Sequence, residues 1–276
     1  MDSRDPTPRK PHSLDVLRRR LRGIVALEEE AELRNFADAL RSDPRRGAQN
    51  LAQRALRQLA ALSGERARVD RMFALRRSLF EAGWHAVAGV DEVGVGPLAG
   101  PVVAAAVILP ERVELSGVND SKKLSREVRE KLALTIREQA VAISIGEVSP
   151  EEIDRRNIYR ASLEAMRRAV AGLTPAPDYC LVDARTIPQT SIRQQALIHG
   201  DAIDGSIAAA SIVAKVHRDR IMAELDISHP GYGFARHMGY GTAVHLEALE
   251  RLGASPVHRR SFGPVAAVLD RVAKRR

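Results

Sequence analysis

Two adjacent acids, Asp91 and Glu92, head the glycine-rich turn in AVAGVDEVGVGPLAGPVVAAAVIL, residues 86–109. Two more acids follow short apolar runs further on: Asp183 after Tyr179-Cys180-Leu181-Val182, and Asp201 after Ala196-Leu197-Ile198-His199-Gly200. Carboxylates gathered in an apolar setting lose hydration and repel one another, so a cluster of four makes sense chiefly as a cation site. Mg²⁺ or Mn²⁺ takes oxygen ligands and leaves positions for water and substrate phosphate. Two such ions roughly 4 Å apart activate water and stabilise the leaving oxygen of a phosphodiester. An isolated acidic pair also suits a solvated turn; the apolar flanks and the two later acids weigh toward chemistry. Asp219 is expected behind the four, as a supporting or helix-surface acid.

These acids need elements to hold them. Ala86–Val90 and Val102–Leu109 read as buried strands, and Gly94, Gly96, Pro97 and Gly100 between them read as a hairpin link. Successive strand side chains point to opposite faces, so Asp91 and Glu92 share an ion only if the backbone there leaves regular geometry. A helix capped by Ser125 runs to about Gln139, and Val141–Val148 is a third strand. Ser149-Pro150-Glu151-Glu152 starts a helix expected to run unbroken to about Ala171. Residues 179–183 and 196–201 read as strands ending in acids, followed by a small-residue helix over 206–225. The resulting fold class is α/β, a mixed five-stranded sheet flanked by helices, with C-terminal helices. Residues 1–12 are expected to be a disordered tail. Residues 13–83 read as a helical extension, broken at Asp43-Pro44-Arg45-Arg46-Gly47 and at Ser63-Gly64, and residues 84–276 as the catalytic domain.

The chain is 45% hydrophobic and 28% charged, an ordinary globular composition. Its net charge of +8 is uneven: residues 1–85 carry 18 basic and 12 acidic side chains, the remainder 25 and 23. A basic arm on a near-neutral body suits a polyanionic partner. No apolar run approaches the roughly 18 residues of a membrane span, the N-terminus has no secretory pattern, and the lone Cys180 fits a reducing cytoplasm. Cys180 lies in an apolar run and reads as a buried structural thiol. The histidines, among them His199, His217, His229, His237, His245 and His258, lack zinc-type spacing and read as solvated or core residues.

The string VDEVGVGPLAGPVVAAAVIL closely resembles the N-terminal signature of ribonuclease HII, and residues 119–125 (NDSKKLS), LVD at 181–183 and GDAIDGSIAAASIVAKVHRD at 200–219 continue the resemblance. GYGFARHMGYGTAVHLEALERLGASPVHRRSF at 231–262 matches the family's tail, and SDPRRGAQNLAQR more loosely its helical N-terminal extension. The resemblance implies a ribonuclease H-like sheet, with Asp91, Glu92, Asp183 and Asp201 as metal-binding catalytic acids. Asp204 has no counterpart in the family motif. It implies cleavage of the RNA strand of RNA/DNA hybrids and of duplex DNA at embedded ribonucleotides, using two Mg²⁺ or Mn²⁺ ions with substrate bound; the chain is expected to be a monomer. Substrate contacts are implied for Gly94, Val95 and Gly96 through backbone groups that read the ribose 2′-hydroxyl, for Lys122 and Lys123 near phosphates, for Ser206, and for Tyr240 stacked on the sugar after the junction.

Three positions depart from the family by losing or changing basic character. Val95 stands where the turn normally has arginine, and His199 and Met238 stand where it normally has lysine; Ala184 also replaces a glycine. These changes leave open a rival reading, a nucleic-acid-binding protein that kept the fold and lost productive contacts.

Overall fold

The computed structural model describes residues 12–27 and 29–274, so the expected disordered tail lies, His12 apart, outside the described residues. The chain divides into two compact units, residues 1–68 and 69–276. In the first, α1 (Leu14–Leu27), α2 (Glu30–Ala39) and the start of α3 (Arg46–Met72) carry apolar residues at helical spacing. Leu17, Leu21, Leu33, Phe36, Leu51 and Ala55 close around one small core. Asp43 forms the break between α2 and α3, accepting from Arg45 Nε at 3.0 Å and Nη2 at 2.7 Å. The break expected at Ser63-Gly64 is absent, because α3 runs straight through it. A helix-interior glycine costs only about 1 kcal/mol relative to alanine, which a long helix absorbs when no proline follows.

The division at residue 68 falls inside the helical extension expected over 13–83. The end of α3 and α4 (Ala74–Glu81) belong to the second unit because their apolar side chains serve its core. Met72 and Phe73 pack beside Val107 and Leu109, and Leu75, Leu79 and Trp84 against Val87, Leu181 and Ile207. Arg76 of α4, fully buried, donates to the carbonyl oxygens of Leu109 at 2.6 Å and Glu111 at 3.2 Å.

The second unit continues with β1 (Val87–Val93), β2 (Val102–Ile108), a 3₁₀ turn (Ser121–Lys123), α5 (Arg126–Gln139), β3 (Ala142–Val148), α6 (Pro150–Arg156), α7 (Ile158–Ala171), β4 (Tyr179–Asp183) and β5 (Arg193–Leu197). It closes with α8 (Gly200–Ile203), α9 (Gly205–Ser228), α10 (Phe234–His237), α11 (Ala243–Leu252) and α12 (Gly263–Lys274). The sheet order is β3-β2-β1-β4-β5; β1, β2 and β3 pair antiparallel, and β4 joins β1 and β5 in parallel. β2 is buried on both faces, which is why it reads as an unbroken apolar run. Val102, Ala104 and Ala106 meet α7 residues such as Ala165 and Met166; Val103, Ala105 and Val107 meet α9 residues such as Ala209 and Val213. Two glycines let the helices approach closely: a Cβ on Gly89 would lie 2.1 Å from the Ser206 backbone, and one on Gly146 2.0 Å from the Ala165 oxygen.

Two elements differ from the sequence reading. The helix expected over 149–171 is two helices, because Asn157 adopts φ +70 and accepts from Arg160 N–H to cap α7 anew. The last strand is Arg193–Leu197, an exposed edge strand whose polar residues hid it, and it ends before Ile198. Asp201 is therefore on α8, after a left-handed His199, and not at a strand end.

Candidate active site

Asp91 and Glu92 lie near the end of β1, Asp183 at the end of parallel β4. Carboxylate oxygens of these three acids lie within 4.8 Å of one another. The β1–β2 ladder stays regular through Asp91↔Ala105 and Glu92↔Ala104, so no backbone distortion unites the pair, contrary to the expectation from strand alternation. The parallel β1–β4 ladder instead stops at Val90↔Val182. The three carboxylates gather just beyond this point. Asp201 stands apart from this three-acid group but close enough for its charge to act on Asp91.

The electrostatics are those of a site short of positive charge. Burial, then the charges of Glu92 and Asp183, push Asp91 well above the usual carboxylate range. Burial also raises Glu92, against the lowering effect of Arg185, whose Nε is 3.3 Å from Glu92 Oε1. Glu92 Oε2 is buried without a hydrogen-bond partner. Burial and the neighbouring Asp120 raise Asp201. Two backbone donors order the cluster: Glu92 N–H to Asp91 Oδ1 at 2.7 Å, and Gly200 N–H to Asp183 Oδ1 at 2.7 Å. An all-oxygen donor set with a buried orphan oxygen fits a hard divalent cation.

Lys122 is exposed and its charge acts on both Glu92 and Asp201, whereas Lys123 turns to Asp120 at 4.0 Å. Asp219 holds Lys215 at 2.5 Å and Arg129 at 3.9 Å. Arg129 in turn donates to the carbonyls of Ser121 and Leu124, so Asp219 supports the lysine-bearing turn from behind. Ser206, expected as a substrate contact, presents no exposed surface. It is fully buried beneath β1 with its hydroxyl unpartnered, because Gly89 admits the α9 N-terminus against the strand.

The Gly94–Gly96 turn rests on two buried arginines whose roles sequence reasoning missed. Arg259 donates to the oxygens of Gly94 at 2.5 Å, Val95 at 2.9 Å and Gly100 at 3.0 Å. Arg218 donates to Pro101, Met238 and Ala99. In a planar trans peptide C=O and N–H point oppositely, so with the Gly94 and Val95 oxygens turned inward, the Val95 and Gly96 N–H groups face away from Arg259. Tyr240 is 47% exposed, and a Cβ on Gly96 would lie 3.6 Å from its ring. Also missed were Ser211, whose side chain lowers the Asp91 carboxyl against its burial and lies 2.9 Å from Ser121 Oγ, and Arg185, stacked over Tyr159 at 5.1 Å. A serine in a small-residue helix and an arginine after LVD carry no local signal of such contacts.

Of the departures from the family pattern, Met238 turns inward beside the Met222, Tyr232 and Phe234 cluster, and His199 is exposed. Ala184 takes φ +48, a conformation that favours glycine. His237, His245 and His258 are buried core residues, as expected, and Cys180 is buried with burial pushing its thiol up to about 12.

Comparison with known proteins agrees with this geometry. The Ribonuclease HII family profile matches residues 88–265, and the Ribonuclease HII N-terminal domain profile residues 22–79. The chain is 52% identical to a ribonuclease HII of Myxococcus xanthus over 84% of its own length and 80% of that protein's. It is 53% identical to one of Geobacillus kaustophilus, over 84% and 89%. Among solved structures it is similar to a ribonuclease H2 from Pyrococcus horikoshii, with a TM-score of 0.59 and 29% identity over 68% of this chain and 99% of the other. The sheet, the acids at the ends of β1 and β4, and relatives matched over most of their length agree: the chain belongs to the ribonuclease HII family and is a ribonuclease H endoribonuclease.

Proposed function

We propose that Asp91, Glu92, Asp183 and Asp201 hold one or two divalent cations, Mg²⁺ or Mn²⁺. With them the chain hydrolyses the RNA strand of RNA/DNA hybrids and cuts duplex DNA at embedded ribonucleotides. The observation that carries this reading is the convergence of three carboxylates within 4.8 Å, with Glu92 Oε2 buried and unpartnered. When bound there, such a cation supplies an activated water and stabilises the leaving oxygen. The protein's part is positioning. Backbone donors from Glu92 and Gly200 fix two of the acids, and Lys122 stands exposed beside them for a substrate phosphate. The Val95 and Gly96 N–H groups, facing away from Arg259, suit a ribose 2′-hydroxyl, the group that separates RNA from DNA. Tyr240 beside Gly96 offers an exposed ring to the neighbouring sugar. No described helix is long and apolar enough to cross a membrane, and the lone buried cysteine fits a cytoplasmic setting.

Hybrid, duplex DNA, duplex RNA and a duplex with one ribonucleotide, each incubated with and without Mg²⁺, test the reading. Cleavage is expected of the first and last, and only with the metal. Asp183→Asn is expected to abolish it, and turnover within a few-fold of the parent protein would overturn the carboxylate assignment.

A further inference from the structure

The segment bearing Tyr240 has little regular structure of its own. Met238 and Gly239 both take positive φ, and α10 before it is a single turn. Yet the Tyr240 carbonyl is held from the interior by a chain of buried groups whose donor directions follow from chemistry. A carbonyl only accepts, so His245 donates to it from Nδ1–H, at 2.9 Å. Neutral His245 then accepts at Nε2, which lies 3.1 Å from His258 Nε2, so His258 donates from that nitrogen. His258 Nδ1 is left to accept, and it faces two Ser255 donors, the N–H at 3.0 Å and the hydroxyl at 2.7 Å. The chain closes with no donor opposed to a donor. His245 and His258 are fully buried, and the His237 ring stacks on His245 with centroids 4.4 Å apart. His237 is oriented in the same way, donating to the Tyr232 carbonyl at 2.9 Å and accepting from Gly239 N–H at 3.3 Å.

The far end of this chain lies in the segment that also governs the glycine turn. Ser255 and His258 precede Arg259, whose guanidinium holds the Gly94 and Val95 oxygens and whose N–H donates to the Leu98 carbonyl. The carbonyl of Gly239, next to Tyr240, accepts from Leu98 N–H at 2.8 Å. Residues 255–259 thus connect to both sides of the place where Tyr240 meets Gly96.

We propose that Ser255, His258 and His245 form a positioning chain that sets the Tyr240 ring against the Gly94–Gly96 turn, and so tunes the affinity for a ribonucleotide junction. This inference rests on the reading that Tyr240 meets the substrate sugar. The role of the three residues is positional, since none is exposed to substrate.

The test is a double-mutant cycle on a duplex with one embedded ribonucleotide, reading KM and kcat under one divalent ion, with a melting curve for each protein. Tyr240→Ala is expected to raise KM about tenfold and His258→Leu about fivefold, a size set by the loss of one buried hydrogen-bonded link, with kcat changing less. His258→Gln, whose amide can donate at one end and accept at the other, is expected to restore KM to within about twofold. The double variant, His258→Leu with Tyr240→Ala, is expected to be no worse than Tyr240→Ala alone, because the chain acts through that ring. Additive effects would overturn the proposal, as would a KM for His258→Leu equal to that of the parent protein while Tyr240→Ala impairs. An unchanged KM in Tyr240→Ala overturns the sugar-contact reading, and the chain's role with it. Should His258→Leu fail to fold, Ser255→Ala removes one of two donors and leaves the rings in place. It is expected to raise KM about twofold in the parent protein and not over Tyr240→Ala; any other pattern counts against the chain.

Discussion

Asp91 shows how one residue couples stability to chemistry. Its carboxyl is held well above the usual range, first by burial and then by Glu92 and Asp183. Between the ordinary aspartate value and the raised one, the folded chain keeps a proton that the unfolded chain has lost, so stability falls as pH rises through that window. In metal-free protein the contribution of Asp91 to stability is therefore expected to be smaller at pH 8 than at pH 5. Asp91→Asn, which removes the charge, should melt higher than the parent protein at pH 8 without metal, show a weaker pH slope, and lose cleavage. Thermal melts at the two pH values with chelator present check this; a metal-free Asp91→Asn that melts lower at pH 8 would contradict it. Val95 makes the opposite point, a charge that is missing. It is half-buried and belongs to none of the apolar clusters of the sheet unit. A charge-assisted contact is worth about 1.5–3 kcal/mol, so Val95→Arg is expected to raise kcat/KM on the single-ribonucleotide duplex by about tenfold. The gain should be larger at low salt, and its absence there would remove the missing-contact argument.

At the scale of elements, α9 connects core to site. Its N-terminus is capped by Asp204, which accepts from Ser206 and Ile207 N–H, and burial pushes that carboxyl up to about 6. Further along, Ser211 acts on the Asp91 carboxyl and Arg218 donates to the loop carbonyls. All of this depends on how closely α9 lies on β1, and Gly89 sets that distance. Gly89→Ala places a methyl 2.1 Å from the Ser206 backbone, where no flexible side chain can yield. We expect a loss of about 1–3 kcal/mol or more. Cleavage should fall too, because the shift moves Ser211 away from Asp91. Urea unfolding measures the first effect and initial rates the second; a neutral Gly89→Ala would mean that α9 adjusts freely.

At the scale of the whole molecule, charge is divided between the units. Residues 1–68 carry 15 basic and 10 acidic side chains, more than half of the net charge of +8 on a quarter of the chain. Within that unit Arg18, Arg22 and Arg54 ring a cavity of about 180 Å³ floored by Leu21 and Leu51. A chain beginning at Val69 keeps Met72, Phe73 and α4, which serve the sheet unit, together with the site acids. It is expected to bind substrate more weakly, with a shallower dependence of log K on log salt, and to keep its single-turnover rate at saturation. Binding titrations at three salt concentrations decide this; an unchanged slope would leave the basic arm without a role in affinity.

Features whose causes lie within a few residues were legible in the amino-acid sequence. The apolar run of β2, the Ser125 cap and the Ser149 capping box are all where local chemistry puts them. Tertiary structure decided the rest. Asp201 follows a left-handed His199 on a one-turn helix, and Ser206 is buried because a glycine on another element makes room for it. Asp91 and Glu92 gather with Asp183 just beyond the end of the β1–β4 ladder, with no change in the β1–β2 ladder. The glycine turn takes its orientation from arginines 117–165 residues away in sequence. A cap or an apolar period acts through neighbouring backbone and leaves a local pattern. A buried guanidinium satisfying distant carbonyls leaves none, because its partners are chosen only when the chain has folded.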